Sequence, residues 1–164
     1  MLKKKGLDFV KAIIGKPRRL PVVFCDHGAP IFFVTAVTAN RDPILSSDPV
    51  HTVLREHASE NMKHGRAMGR YVIMPDHVHF FVRLPGECKL SDYVRWMKFA
   101  VTRVLRRDGG TDRVWQAGFF DHALRSTESY AQKWEYVRMN PVRAGLVSSP
   151  DEWPYQGEIQ RIEM

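Results

Sequence analysis

Cysteine is scarce in this 164-residue sequence, and its two examples, Cys25 and Cys88, stand far apart without CxxC spacing. Neither a disulfide framework nor a cysteine-based zinc site is therefore expected, and two isolated thiols suit a reducing cytoplasm. Long apolar runs are also missing. The best of them, 31–37, is far shorter than the roughly 20 residues that a membrane-spanning helix requires. We therefore predict a cytoplasmic protein with no membrane-spanning segment.

Acidic residues are few relative to basic ones, with 18 Asp and Glu against 25 Lys and Arg, which gives a formal charge of +7. This excess favours a polyanionic partner, of which nucleic acid is the leading candidate. Apolar residues make up 44% of the chain, so disorder throughout is excluded, and the length suits one compact domain. We predict a basic N-terminal arm over residues 1–28 and a single domain over residues 29–164.

The alternation of β-rich runs with amphipathic stretches predicts the order β-α-β-β-α-β with a further helix. The predicted strands lie at 30–39, 70–74, 77–84, 113–117 and 119–124, and the predicted helices at 47–64, 90–108 and 126–140. This order is typical of a ferredoxin-like α/β sandwich, an α+β fold in which helices cover one face of a central antiparallel sheet. The clearest helix is the second, whose apolar residues recur at spacings of three and four: Leu90, Val94, Met97, Val101, Val104 and Leu105.

Two histidines, His77 and His79, are two positions apart in the predicted strand 77–84. Because side chains alternate along a strand, both point to the same side, with Cα atoms about 6.6 Å apart at ~3.3 Å per residue. Two imidazoles at this spacing can converge on one cation. The alternative is that two histidines alternate by chance on a half-exposed strand. No HExxH, CxxC or paired carboxylates complete the pair, so a third ligand has to come from elsewhere.

Tyr136 and Asn140 are four residues apart on the last predicted helix and differ by about 40° around its axis. An amide oxygen of Asn140 with two imidazoles suits a harder divalent cation, Mg²⁺ or Mn²⁺, that leaves positions open for phosphate oxygens. Tyr136 would then lie beside a bound phosphate as a nucleophile. The alternative for Tyr136 is a packed aromatic residue, and Tyr130, at about 80° from Asn140, is a competing nucleophile.

Three ordered motifs carry a family resemblance: YVIMPDHVHFFVRLP, VWQAGFFDHALRS and WEYVRMNPVRAGLV. Together they are similar to the REP-associated tyrosine transposases, relatives of the single-tyrosine insertion-sequence transposases, over roughly Ile31 to Trp153. The resemblance implies a fold of the HUH single-tyrosine type, in which two histidines bind a divalent metal and a tyrosine forms a 5′-phosphotyrosine with single-stranded DNA. By motif position these roles fall on His77, His79 and Tyr136.

The resemblance also implies the substrate, which is hairpin DNA formed by repetitive extragenic palindromes with a flanking single strand. The position of Asn140 commonly holds a glutamine in related insertion-sequence enzymes, and Asp76 stands where the family frequently has asparagine. In relatives the tyrosine acts within one chain or reaches across a dimer. Both a monomer and a homodimer therefore stay open for this chain.

The predicted helix 90–108 has a basic face opposite its apolar stripe. That face consists of Arg95, Lys98, Arg103, Arg106 and Arg107, with Trp96 and Phe99 among them. Cations that meet phosphates, beside rings that stack on unpaired bases, are typical of single-strand binders. The alternative is a solvated basic face whose two aromatic residues pack against the arm. Four more residues complete the predicted DNA surface: Arg138 and Arg143 near the proposed centre, and Trp115 and Gln116, which either contact the hairpin or belong to the sheet.

Together these observations predict a metal-dependent enzyme of the HUH class that cleaves and rejoins single-stranded DNA in transposition or recombination, with Tyr136 as the nucleophile. Two other functions stay open. One is a non-catalytic protein that binds hairpin DNA on the same scaffold, and the other is a metal-dependent phosphodiesterase that uses water. A covalent adduct between protein and DNA separates the first function from both of these.

Overall fold

The computed structural model describes residues 29–107, 109 and 113–162. Within these residues the chain forms a five-stranded sheet in which every pairing is antiparallel. The strands are β1 (Ile31–Val37), β2 (Ala67–Ile73), β3 (His77–Arg83), β4 (Phe120–Leu124) and β5 (Gln156–Glu158). Their order across the sheet is β4-β1-β3-β2-β5. Strand β3, which carries the two histidines, is therefore central and paired on both sides.

The α-helices within the described residues are α1 (Asp48–Met62), α2 (Leu90–Arg107), α3 (Thr127–Arg138) and the short α4 (Asn140–Arg143). Helices α1 and α4 each have a proline, Pro49 and Pro141, in their first turn, where the missing amide hydrogen is not needed. Helix α3 begins after Ser126, whose hydroxyl accepts a hydrogen bond from the backbone N–H of Ser129. Local sequence thus determines where three of these helices begin.

Strand β3 sends alternate side chains to opposite faces of the sheet. One set packs with buried residues of α1 and α2 in a single core cluster, and its members are Val78, Phe80 and Val82. On the other face, Phe81 packs with Tyr130 of α3. The expectation that all helices cover one face is therefore wrong for α3. This helix covers the face of the sheet that carries His77 and His79.

The segment 113–117, predicted as a strand, is not one, because it contributes only a single bridge between Trp115 and Thr38. Strand β5 is missing from the sequence prediction because its three residues, Gln-Gly-Glu, include no β-branched or aromatic side chain. Strand β2 begins at Ala67, earlier than predicted, and has an irregularity between Met68 and Tyr71. The other predicted strands and the three long helices are confirmed within a few residues of their bounds.

The predicted α+β architecture, a ferredoxin-like arrangement around a central antiparallel sheet, is confirmed. The predicted basic arm, residues 1–28, lies outside the described residues. Among the residues that the structure describes, no helix has both the length and the apolar character needed to cross a membrane.

Candidate functional site

His77 and His79 point from β3 towards the face of the sheet that α3 covers. Their ring centroids are 4.7 Å apart and their planes lie at 78° to each other. The convergence expected from strand alternation is therefore confirmed. The rings are close enough to present one nitrogen each to a common point.

Each imidazole is held through its Nδ1 atom. His77 donates a hydrogen bond from Nδ1 to Asp76 Oδ1 at 2.6 Å, and Nδ1 of His79 lies 2.8 Å from Thr35 Oγ1. Thr35 is the cross-strand partner of His79 on β1. The described residues offer no hydrogen bond to the Nε2 atom of either ring. This is the arrangement of metal-binding histidines, in which a second group fixes one nitrogen and leaves the other free for the ion.

Burial and nearby positive charge keep His79 neutral. Its pKa lies well below the ordinary value, first because the ring is removed from water, then because a proton on His77 would repel one on His79, and then because of the charges of Lys133 and Arg143. The ring also stacks on Phe33 with centroids 5.3 Å apart. A neutral, immobilised imidazole is the form that binds a metal ion.

Asp76 carries a negative charge beside this pair. Burial raises its pKa, but hydrogen bonds and charge interactions with His77 and Arg41 outweigh burial and lower it to about 2. Its second oxygen, Oδ2, accepts from Arg41 Nη1 at 3.1 Å. The carboxylate therefore links an arginine to a histidine.

The two candidate tyrosines of α3 have different surroundings. Tyr136 is 56% exposed, whereas Tyr130 is 8% exposed and packs on Phe81 with ring centroids 4.6 Å apart. Burial also raises the pKa of Tyr130, which makes its hydroxyl a poorer nucleophile. Accessibility therefore favours Tyr136, as the sequence predicts.

Helix α3 meets the sheet next to His79. Lys133 Nζ lies 5.1 Å from the ring centroid of Phe33, the same ring that stacks on His79. One turn later, Val137 belongs to a buried cluster with Val72, which is the cross-strand partner of His79 on β2. Tyr136 directly precedes Val137, so it stands at the margin of the contact between helix and sheet, on the histidine face.

Arg143 of α4 holds the region around Tyr136 together. Its Cζ lies 4.1 Å from the ring centroid of Tyr136, and its Nη2 donates to the Tyr136 carbonyl at 2.5 Å and to Asn140 Oδ1. The amide oxygen of Asn140, the predicted third ligand, is thus bonded to a guanidinium. The described residues contain no group of three or more His, Cys, Asp or Glu side chains that could hold a metal ion. A ligand role for Asn140 stays a prediction.

A family model described as "Transposase IS200 like" matches residues 31–139, more than half of the chain. The chain belongs to the IS200-like transposase family. An Escherichia coli K12 protein named REP-associated tyrosine transposase is 30% identical to it over 131 residues, which cover 78% of this transposase and 75% of that protein. A Haemophilus influenzae Rd protein, provisionally given the same name, is 29% identical over 94 residues, 51% of this chain and 53% of that one.

A solved structure of a REP-associated tyrosine transposase bound to a REP hairpin superposes on this transposase with a TM-score of 0.63. Its sequence is 25% identical, and the match covers 85% of this chain and 82% of that chain. The resemblance to the REP-associated tyrosine transposases is therefore confirmed.

The basic face of α2 in this transposase lies on the opposite side of the sheet from the histidines. Trp96 and Phe99 are each 53% exposed, with ring centroids 6.0 Å apart. Arg95 lies over Trp96 and Arg103 over Phe99, at 5.5 and 6.0 Å from the ring centroids. Arg95 also pairs with Asp92 on the same helix. Arg106 and Arg107 are also exposed, at the C-terminal end of the same helix. The rings therefore lie exposed among arginines, and a DNA-binding role for this face stays a prediction.

The side chains of Lys98 and Trp115 are not positioned as expected for an exposed DNA-binding surface. The Lys98 ammonium turns inward, lies over the Trp115 ring, and donates to the carbonyls of Gln116 at 3.0 Å and Gly118 at 2.5 Å. Burial lowers the pKa of Lys98 to about 8. The Trp115 indole N–H faces Lys98 O and Thr102 Oγ1, both at 3.2 Å. Lys98 and Trp115 therefore fasten the segment around Gln116 to α2, and Trp115 joins the sheet only through its bridge to Thr38. Contact of Trp115 and Gln116 with a hairpin stays a prediction.

Arg138 has acidic partners on both sides. It contacts Asp151 at 3.0 Å and Glu135 at 3.6 Å, so its charge is partly compensated near the candidate site. Among the residues around the histidines, Thr35 and Lys133 are absent from the sequence prediction. Thr35 can be found only once the register of β1 against β3 is known, and Lys133 only once α3 is known to cover the histidine face.

Proposed function

We propose that this chain is a metal-dependent, single-tyrosine HUH transposase that cleaves and rejoins single-stranded DNA beside palindromic hairpins. The observation that carries the proposal is the position of exposed Tyr136 on the helix that covers the same sheet face as His77 and His79. The relative from E. coli is named a REP-associated tyrosine transposase, and a similar solved structure is bound to a REP hairpin. Both support hairpin DNA of repetitive extragenic palindromes as the substrate.

His77 and His79 would hold a divalent cation, Mg²⁺ or Mn²⁺, through their Nε2 atoms. The fit is supported by the Nδ1 atoms, which already have partners in Asp76 and Thr35. When bound, the ion would neutralise phosphate charge and stabilise charge that develops on the leaving oxygen. Asn140 is a third ligand only after its amide oxygen leaves Arg143.

Tyr136 supplies the nucleophile. Its oxygen forms a bond to phosphorus as the bond from phosphorus to the 3′ oxygen breaks, the phenol proton passes to solvent, and the released 3′ oxygen takes up a proton. The DNA stays attached to Tyr136 through its 5′ phosphate, so attack by a 3′ hydroxyl reverses the step and rejoins strands. Arg143, stacked on the phenol, orients the ring and adds positive charge beside the phosphate.

A labelled hairpin with a single-stranded flank tests this function. Incubation with the protein and Mn²⁺ is expected to produce an adduct that survives denaturant, and Tyr136→Phe is expected to abolish it. Tyr130→Phe is the matched control, since it removes a hydroxyl from the same helix at a buried position and should retain the adduct. An adduct of normal yield in Tyr136→Phe would refute the assignment.

A non-catalytic hairpin-binding protein is the second candidate function. The exposed rings and arginines of α2 favour it, because they lie on the sheet face away from Tyr136 and can bind DNA without the histidine site. Such a binder would hold the hairpin equally well in His77→Ala and in the presence of chelator, with affinity that falls steeply as salt rises. Absence of any adduct from wild-type protein would favour this function.

A further inference from the structure

Asp76 lies in the turn between β2 and β3 and touches two groups with two different oxygens. Oδ1 accepts from His77 Nδ1 at 2.6 Å, and Oδ2 accepts from Arg41 Nη1 at 3.1 Å. Because both oxygens are engaged, the carboxylate cannot rotate without losing one contact. The orientation of Asp76 is therefore fixed by Arg41 as well as by His77.

Arg41 reaches Asp76 from an unusual backbone turn. Asn40 and Arg41 have φ angles of 54° and 60°, in the left-handed region that residues other than glycine rarely adopt. Two consecutive residues of this kind persist only where their surroundings hold them. The turn places the guanidinium of Arg41 against the carboxylate of Asp76.

Thr38 fastens this turn to the backbone of Asp76. Its N–H donates to Asp76 O at 2.9 Å, and its hydroxyl lies 3.0 Å from the same carbonyl and 2.9 Å from Asp42 O. Within the described part of the chain, Thr38 is the one polar residue that is completely buried. The turn and the Asp76 backbone thus form one rigid unit at the end of β1.

Orientation matters because His77 can present Nε2 to an ion only in the tautomer with the proton on Nδ1. His79 obtains its orientation from Thr35 and from stacking on Phe33. The His77 ring is oriented by its hydrogen bond to Asp76. The ion pair between Arg41 and Asp76 is partly exposed, so it adds little to the stability of the fold. Its contribution is to orient the Asp76 carboxylate.

We infer that Asp76, braced by Arg41 through the left-handed turn at Asn40 and Arg41, is a positioning residue that holds the His77 ring in the Nδ1–H tautomer, with Nε2 directed to a divalent ion. The part of this inference that concerns the ion rests on the proposed metal-dependent function. The part that concerns the tautomer refers to the metal-free protein alone.

The tautomer is measured on the metal-free protein by ¹⁵N NMR of the imidazole nitrogens. Wild-type protein is expected to hold His77 in the Nδ1–H form, and Asp76→Ala is expected to give a mixture of both neutral forms. Asp76→Asn keeps an oxygen that accepts the bond, so it should restore the Nδ1–H form. Retention of the pure Nδ1–H form in Asp76→Ala would overturn the inference.

Metal affinity is measured by titration with Mn²⁺ alone, followed by electron paramagnetic resonance. Asp76→Ala is expected to weaken Mn²⁺ binding by about 10- to 100-fold, the usual effect of removing such a partner. Arg41→Gln should weaken it by a smaller factor, because the carboxylate remains. Asp92→Ala is the matched control, since it breaks another Asp–Arg pair, 3.3 Å from Arg95 on α2, and should leave the affinity unchanged.

Folding of each variant is verified by circular dichroism, and Asp76→Asn and Arg41→Gln provide evidence that does not depend on the alanine variant. Mn²⁺ affinity of Asp76→Ala equal to that of wild type would overturn the inference. The tautomer measurement uses protein without metal or DNA, so its result does not depend on whether Tyr136 forms an adduct. Failure of the proposed function and failure of this inference are therefore distinguishable.

Discussion

Replacing Gly157 by alanine is expected to destabilise the fold at the edge where β5 pairs with β2. A Cβ atom at this position would lie 2.9 Å from Oη of Tyr71 and 3.3 Å from its Cζ. Tyr71 is 2% exposed, and its hydroxyl is 2.7 Å from His51 Nε2. The ring therefore cannot move aside without disturbing the core and losing that hydrogen bond.

The size of the effect follows from three contributions. Forcing an extra methyl group into a packed site costs about 1–3 kcal/mol, and loss of the hydrogen bond between Tyr71 and His51 costs about 1 kcal/mol. Alanine restricts the unfolded chain more than glycine does, which offsets about 0.5–1 kcal/mol. The net loss is about 2 kcal/mol, and for a domain of this size the melting temperature should fall by roughly 4–8 °C.

Urea and thermal unfolding followed by circular dichroism measure this loss. Tyr71→Phe removes the hydroxyl that the new methyl group would meet, so the double variant should be less destabilised than the sum of the two single variants, by about 1 kcal/mol or more. A Gly157→Ala variant as stable as wild type would refute the prediction. A loss of stability that is the same with and without the Tyr71 hydroxyl would show that the close contact with this hydroxyl does not cause the loss.

Three further predictions concern other parts of the molecule. Ser126→Ala removes the cap of α3 and should lower the free energy of unfolding by about 1 kcal/mol, which an unchanged urea midpoint would contradict. Lys98→Met should leave hairpin affinity, measured by fluorescence anisotropy, close to that of wild type, because the ammonium is bonded to backbone carbonyls; a large loss of affinity would place it on DNA. Burial and Arg66 lower the pKa of His57 below 6.5, so the unfolded chain binds the proton first and stability should decrease as pH falls below 6.5. Urea titrations across this range should show a smaller decrease in His57→Gln.

Most of the secondary structure could be predicted from sequence because it follows from local periodicity. The apolar stripe of α2 recurs at helical spacing, and its residues Val94, Met97 and Val101 are buried. The segment 113–117 differs from its predicted strand for a physical reason. Trp115 is a good strand residue, but its side chain contacts Lys98 and Thr102 of α2, and its backbone pairs with the sheet only through one bridge to Thr38, beyond the end of β1.

A helical projection assigns charged residues to solvent, and Lys98 shows where that assumption fails. The half-buried side chain of Lys98 donates from its ammonium to two carbonyl oxygens, those of Gln116 and Gly118, in a segment that is distant in sequence. Arg103, on the same helix, follows the assumption and stays exposed beside Phe99. Nothing in the spacing distinguishes these two residues, because the acceptors for Lys98 exist only in the folded chain.

The side of the sheet on which α3 lies decides whether a site exists at all, and helical periodicity alone cannot predict it. An apolar stripe predicts which side of a helix is buried, but it does not predict which of the two faces of a sheet that side packs against. The informative pattern is in β3, where Phe81 follows His79 on one face while Val78, Phe80 and Val82 occupy the other. A strand that is apolar on both faces needs cover on both. Helix α3 supplies that second layer, because Tyr130 packs with Phe81, and the same helix carries Tyr136.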